Sequence, residues 1–189
     1  MHLIIGLGNI GKEYENTRHN VGFMVIDELS KAWKIKVNFA KFNALYGKGT
    51  VNISGNEYNI ILAKPLTYMN LSGRAVKQLM DGFLVPSTHI IVIHDDLDLP
   101  LGTLRIKVGG SDAGHKGVRS IKELVEDPII RVRIGIGRPI NKEEVVNYVL
   151  EEFGKDEKFA ILDVIKRSVK AIETIISKGV EVAQREFNQ

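Results

Sequence analysis

Two short stretches made almost wholly of aliphatic residues, at 2–7 and 90–93, constrain this chain more than any other feature. Each is too short for a buried helix and lacks the alternation of a half-exposed strand, so both are predicted to be strands covered on two faces. Covering two faces takes helices, and the intervening sequence supplies them. Val21, Met24, Val25, Leu29 and Trp33 recur at helical spacing behind Asn20, the predicted N-cap, and a second helix is expected over Ser72–Phe83. Between them, the β-rich stretches 44–53 and 57–63 flank Ser54-Gly55-Asn56, the composition of a hairpin turn.

Further along, residues 103–108 alternate polar and apolar, and a helix is expected after the glycine-rich loop near Gly114. Residues 131–137 alternate between Pro128 and Pro139, which predicts a strand with Arg131 and Arg133 on one face. Beyond Lys142 the pattern is helical, with Leu162, Ile165, Val169, Ile172 and Ile176 forming one apolar stripe. Strands interleaved with helices, plus one hairpin, predict an α/β fold with a mixed central β-sheet surrounded by α-helices. The 189 residues show no repeat, low-complexity tract or linker, so 1–189 is expected to be a single domain.

The absence of cysteine excludes disulfides, thiolate nucleophiles and Cys-ligated zinc. No apolar run approaches the roughly 20 residues of a membrane span, and the start of the chain lacks a signal peptide's basic flank, so a cytoplasmic location is expected. A net charge of +3 permits a polyanionic partner without demanding one.

Gly6-Leu-Gly8-Asn-Ile-Gly11 fits the dinucleotide fingerprint G-x-G-x-x-G after a strand. In that site a helix starts inside the motif and receives the pyrophosphate. Here residues 12–19 are polar without helical period, so the glycines are read instead as a sharp turn that leaves room for Asn9.

Three segments place polar side chains at the ends of apolar elements: Asn9 with Thr17-Arg18-His19-Asn20, then Thr67-Tyr68-Met69-Asn70, then His94-Asp95-Asp96-Leu97-Asp98. If they converge, Asp95 can accept from one nitrogen of the His19 imidazole and leave the other free to take a proton from water. Asn9 and Asn70 offer amide donors and acceptors suited to a peptide-like group, although Asn70 could equally cap the following helix. Asp96 and Asp98 lack the ligand spacing of a calcium loop, and no metal is expected.

GLGNIGKEYENTRHNVGF, KPLTYMNLSG, HDDLDLPLG, GGSDAGHKG and RIGIGRP, in that order, resemble the bacterial peptidyl-tRNA hydrolase family from residue 2 to about residue 150. The resemblance implies a monomer with a twisted mixed sheet, needing no cofactor and no protein partner, that cleaves the ester between a peptide and the tRNA 3′-ribose. It implies His19 as general base, Asp95 as its orienting partner, Asn9 as the residue distinguishing blocked from free aminoacyl ends, and Asn70 as a substrate and water contact. Tyr14, Tyr68 and Met69 match positions lining the groove for the peptide and the tRNA end, and Lys107 and Arg133 match a contact to the tRNA 5′-phosphate. Where the family commonly has Gly-His-Asn-Gly, this chain has Gly114-His115-Lys116-Gly117. Lysine cannot accept a hydrogen bond, so Lys116 is read as a contact to phosphate or to a developing oxyanion. Two alternatives stand beside this reading: an RNA-binding scaffold of the same fold that no longer hydrolyses, and a nucleotide-dependent enzyme using the glycine motif.

Overall fold

The structure, a computed structural model, describes residues 1–126 and 128–189. Among them the chain runs β1 (His2–Gly6), α1 (Val21–Trp33), β2 (Phe39–Lys41), β3 (Ala44–Ile53), β4 (Asn56–Pro65), α2 (Ser72–Phe83), β5 (Ile90–Asp96), β6 (Leu104–Val108), α3 (Lys116–Leu124), β7 (Ile130–Gly135), α4 (Val145–Val149), α5 (Lys158–Lys178) and α6 (Val180–Phe187). The strands form one sheet in the order β2-β3-β4-β1-β5-β7-β6. The central strands β4, β1, β5 and β7 are mutually parallel, while the flanking pairs β2–β3, β3–β4 and β6–β7 are antiparallel. The expected α/β class with a mixed sheet is what forms, and no helix among the described residues is long and apolar enough to cross a membrane.

The sheet is covered on both faces, as the aliphatic strands require. Ile4, Ile91 and Ile93 point into a core shared with α1 and α5, whereas Leu3, Ile5, Ile90 and Val92 point into a second core under α2 and α3. Each fully buried aliphatic side chain contributes roughly 1.5–3 kcal/mol, so these two strands anchor the fold far beyond their length.

Several boundaries differ from the sequence reading. The hairpin turn is the pair Ser54-Gly55, both with positive φ (53° and 88°), and Asn56 pairs with Ile53 inside β4. Strand β2, only three residues and fully exposed, carried no periodic signal. The helical region expected beyond Lys142 comprises three helices, and the apolar stripe on α5 is rotated: Ile165, Val169, Ile172 and Ile176 are buried, but Leu162 is exposed and Ile161 is buried instead. At 3.6 residues per turn Leu162 lies about 90° from the centre of the buried arc, a position that spacing alone does not separate from the stripe's edge.

At the C-terminal end, Asn188 closes the edge of β6. Its Oδ1 accepts from the Ile106 N–H at 2.7 Å and its Nδ2 donates to the Ile106 carbonyl at 2.8 Å, with Gln184 Nε2 reaching the same oxygen at 3.2 Å. One amide side chain thus replaces a missing neighbour strand.

The first glycine of the motif is required by packing, and the last, Gly11, turns the chain with a φ of 114°. A Cβ on Gly6 would lie 2.1 Å from the carbonyl oxygen of Gly22, and a Cβ on Gly22 would lie 2.5 Å from the Ile93 oxygen, so α1 crosses β1 backbone against backbone. Replacing glycine by alanine normally stabilises a helix by up to about 1 kcal/mol. Gly22→Ala should reverse that sign and cost about 3 kcal/mol, read as a lower urea midpoint at unchanged m-value; a neutral or stabilising effect would refute the close crossing.

Candidate active site

Parallel strands release their chain at one end of the sheet, and here that end gathers the three polar segments. Strand β5 runs further than its aliphatic stretch, so that His94, Asp95 and Asp96 are still strand residues with rigid backbones. Alternation turns Asp95 to the α1 side, continuing Ile91 and Ile93, and turns His94 and Asp96 to the opposite face. His19 lies in the single turn Arg18–Asn20 that leads into α1. Its Nδ1 is 2.8 Å from Asp95 Oδ2. The other carboxylate oxygen, Oδ1, is 2.8 Å from Nε2 of His115, the residue that caps α3.

The hydrogen bonds fix the protonation of each ring. His115 Nδ1 accepts from the N–H groups of Gly117 and Val118, so its proton sits on Nε2 and is donated to Asp95. Asp95 also accepts from His19 Nδ1–H, which leaves His19 Nε2 as the basic nitrogen. His94 donates from Nδ1 to the Asp95 carbonyl at 2.8 Å and accepts from Arg131 Nη1 at 3.2 Å on Nε2. Burial acts to raise the Asp95 carboxyl, but the facing His19 and His115 outweigh it and hold Asp95 well below the usual carboxylate range. For His19 burial acts to lower the pKa, Asp95 overrides it by charge and hydrogen bond despite an opposing push from Lys116, and the net direction is upward from 6.5. Burial first, then His115 and Arg131, drive His94 far down, so it stays neutral.

His19, Asp95 and His115 bring donor atoms within 4.8 Å of one another, a grouping that invites a metal. The donor chemistry does not fit one. To ligate through Nε2, His115 would have to move its proton to Nδ1, where two backbone N–H groups already point.

Asn20 precedes α1 as expected but makes no capping bond. Its buried amide turns back instead: Oδ1 accepts from the Asn9 N–H at 2.8 Å and Nδ2 donates to the Asn9 carbonyl at 2.9 Å. Asn9 Oδ1 in turn accepts from the Met69 N–H at 2.8 Å, tying the loop after β1 to the segment before α2. Asn70 does not cap α2; it is exposed and lines the cavity.

These groups line a cavity of about 450 Å³. Its wall includes Asn9, His19, Tyr68, Met69, Asn70 and Asp95, together with Lys107, Lys116 and Arg133. Tyr14 is absent from that wall; it sits half-buried in the turn Lys12–Tyr14. Val145, Val146, Val149 and Leu150 contribute an apolar part of the wall.

Strands β6 and β7 supply cations to the same rim. Arg105 faces Arg133 and Lys107 faces Arg131 across the antiparallel pair, two like-charge pairings that cost stability unless anions intervene. Arg131 is buried on His94 and on the carbonyls of Gly109 and Ser111. Asp96 and Asp98, weighed above as cation ligands, are each bonded to an arginine: Asp96 to Arg133 at 2.7 Å, Asp98 to Arg138.

Sequence reasoning missed three contributors. His115 stands in the sequence beside the Lys116 departure, and its place just ahead of a helix is the one signal of its capping role. Arg18 is buried with its guanidinium on the Tyr148 carbonyl (2.9 Å) and Glu157 (2.8 Å) and 4.0 Å from the Tyr148 ring. It fastens the turn carrying His19 to the segment bearing the apolar wall, a partnership about 130 residues apart that no local pattern reveals. That wall itself lies on the short helix α4 and the residue that ends it, where the helical pattern beyond Lys142 gives no sign of a cavity face.

A sequence profile of the family described as peptidyl-tRNA hydrolase matches residues 3–189. The peptidyl-tRNA hydrolase of Bacillus subtilis (strain 168) is 52% identical over 189 residues, covering 100% of this chain and 98% of that protein. That of Geobacillus kaustophilus is 47% identical over 190 residues, covering 100% of both. Among solved structures, a peptidyl-tRNA hydrolase from Acinetobacter baumannii superposes with a TM-score of 0.92 at 34% identity, covering 100% of this chain and 94% of that one. With a match of this extent in both sequence and backbone, the chain belongs to the peptidyl-tRNA hydrolase family.

Proposed function

We propose that this protein hydrolyses the ester joining a peptide, or an N-blocked aminoacyl group, to the 3′-terminal ribose of tRNA, and that it does so as a monomer in the cytoplasm, through residues 1–189 acting as one unit. The observation that carries this reading is the His19–Asp95 pair, with Nδ1 bound and Nε2 open to an amide-lined cavity. Water held at Nε2 loses a proton to His19 as its oxygen attacks the ester carbonyl. Charge gathering on the carbonyl oxygen is met by the Asn70 amide, by Asn9 Nδ2, whose own Oδ1 is already bound, and by the Lys116 ammonium. His19 then returns the proton to the departing ribose oxygen, releasing tRNA with a free hydroxyl and a peptide carboxylate.

The chemistry proposed is metal-independent, because the His115 cap keeps a proton on the nitrogen that a metal would need. Tyr68, more than half exposed at the rim, offers a face on which the terminal adenine can stack, and the buried Met69 lines the same cavity. Lys107 and Arg133 would hold the 5′-phosphate, an interaction that relieves the like-charge pairings of β6 and β7 without reading base sequence. Tyr14 keeps a role only if the RNA extends past the cavity onto the turn after Gly11.

His19→Ala should lower turnover of an N-acetyl-aminoacyl-tRNA by at least about 100-fold while tRNA affinity changes little; near-normal turnover would remove the proposed base. The wild-type kcat/KM should fall with acid through a midpoint above 6.5, because the neutral imidazole is the active form and Asp95 raises its pKa. Asp95→Asn should move that midpoint down and slow the reaction, and an unmoved midpoint would count against the pair. Asn20→Asp, which sets a carboxylate oxygen against the Asn9 carbonyl, should reduce kcat/KM about tenfold or more through misplacement of Asn9; unchanged kinetics in a folded variant would contradict that role.

A further inference from the structure

Two carboxylates stand next to each other at the end of β5, and the alternation of the strand separates their tasks. Asp95 serves the imidazoles. Asp96, also buried, faces the cationic surface of β6 and β7, where its Oδ2 accepts from Arg133 Nε at 2.7 Å and its Oδ1 accepts from the Asp98 N–H at 2.8 Å. Both oxygens are occupied, so the carboxylate cannot swing, and its grip on Nε sets the plane of the guanidinium. Arg133 Nη1 and Nη2 have no partner among the described residues and lie at the cavity rim with Lys107.

We infer that Asp96 is a positioning residue for phosphate recognition: it holds Arg133 by the inner nitrogen so that the two outer nitrogens meet a terminal phosphate fork to fork beside Lys107. The inference rests on the phosphate contact proposed above and assigns Asp96 a part in it. A guanidinium free to rotate would still attract RNA by charge, but it would lose the paired geometry that distinguishes a terminal phosphate from the diester backbone. The two effects of removing the carboxylate therefore have opposite signs. Overall attraction for polyanions holds or rises, because one negative charge is gone, while discrimination for the phosphate falls. A purely structural acid would not split them.

The test compares kcat and KM on one N-acetyl-aminoacyl acceptor-stem minihelix bearing either a 5′-monophosphate or a 5′-hydroxyl, for wild type, Asp96→Asn, Asp96→Glu and Arg133→Gln. Asparagine offers one acceptor where aspartate offers two, so it cannot hold both Arg133 and the Asp98 N–H. The wild type should favour the phosphorylated substrate by about tenfold, mainly in KM, and Arg133→Gln should bring the ratio close to parity. Asp96→Asn should cut the ratio at least about threefold, with fluorescence-monitored affinity for a 5′-hydroxyl minihelix equal to or tighter than wild type, and Asp96→Glu should recover part of the ratio. A wild type indifferent to the phosphate would remove the phosphate contact itself. A wild-type preference lost in Arg133→Gln but kept in Asp96→Asn would overturn the role of Asp96 alone, as would an equal loss on both substrates carried by kcat.

Discussion

A charge buried at the end of a strand organises this molecule. Burying a carboxylate costs several kcal/mol unless its oxygens are met by donors. Each oxygen of Asp95 is met by a different imidazole, from segments almost a hundred residues apart in sequence. Neither imidazole can leave without stranding the anion, so the electrostatic demand of one side chain draws the turn before α1 and the start of α3 to the same place. The same demand sets the chemistry, because an anion that insists on two N–H donors dictates which nitrogen of His19 is left basic.

The second layer of organisation is division of labour by strand pleat. At the end of β5 the odd-numbered Asp95 meets the imidazoles of His19 and His115, and the even-numbered side chains meet the cationic face, where His94 meets Arg131 and Asp96 meets Arg133. The two networks share the strand backbone and touch where the His94 ring packs edge-on against His115, with centroids 4.9 Å apart. Arg18 adds a third tie by fixing the apolar wall to the turn that carries His19, so the cavity has its polar and its greasy sides set by separate buried ions.

Much of this was legible in the sequence because it depends on local rules. Doubly covered strands and amphipathic helices follow from periodicity, the hairpin follows from its turn composition apart from Asn56, which joins the strand, and the resemblance carried His19, Asp95, Asn9 and Asn70 to positions that the fold brings together. Failures occurred where the deciding contact is long-range. Asn20 has the composition and position of a helix cap, yet its amide is taken by Asn9, whose backbone needs both a donor and an acceptor. Leu162 matches the spacing of a stripe whose centre depends on where the sheet lies. Tyr14, carried over by motif, stands outside the cavity, and Arg18 reads as an ordinary loop cation until Tyr148 and Glu157 are seen beside it.

The amide of Asn188 has a reach beyond its own helix. Strand β6 is the outermost strand on its side of the sheet, and it bears Arg105 and Lys107. Outer strands fray first and recruit foreign strands most readily. By occupying the donor and acceptor of Ile106, midway between those two cations, the side chain both seals the rim against polymerising with another chain and keeps the cations in step. Helix α6 and the residue after it thereby stiffen a cationic strand from its outer edge, coupling resistance to aggregation with the order of the charges that the strand presents.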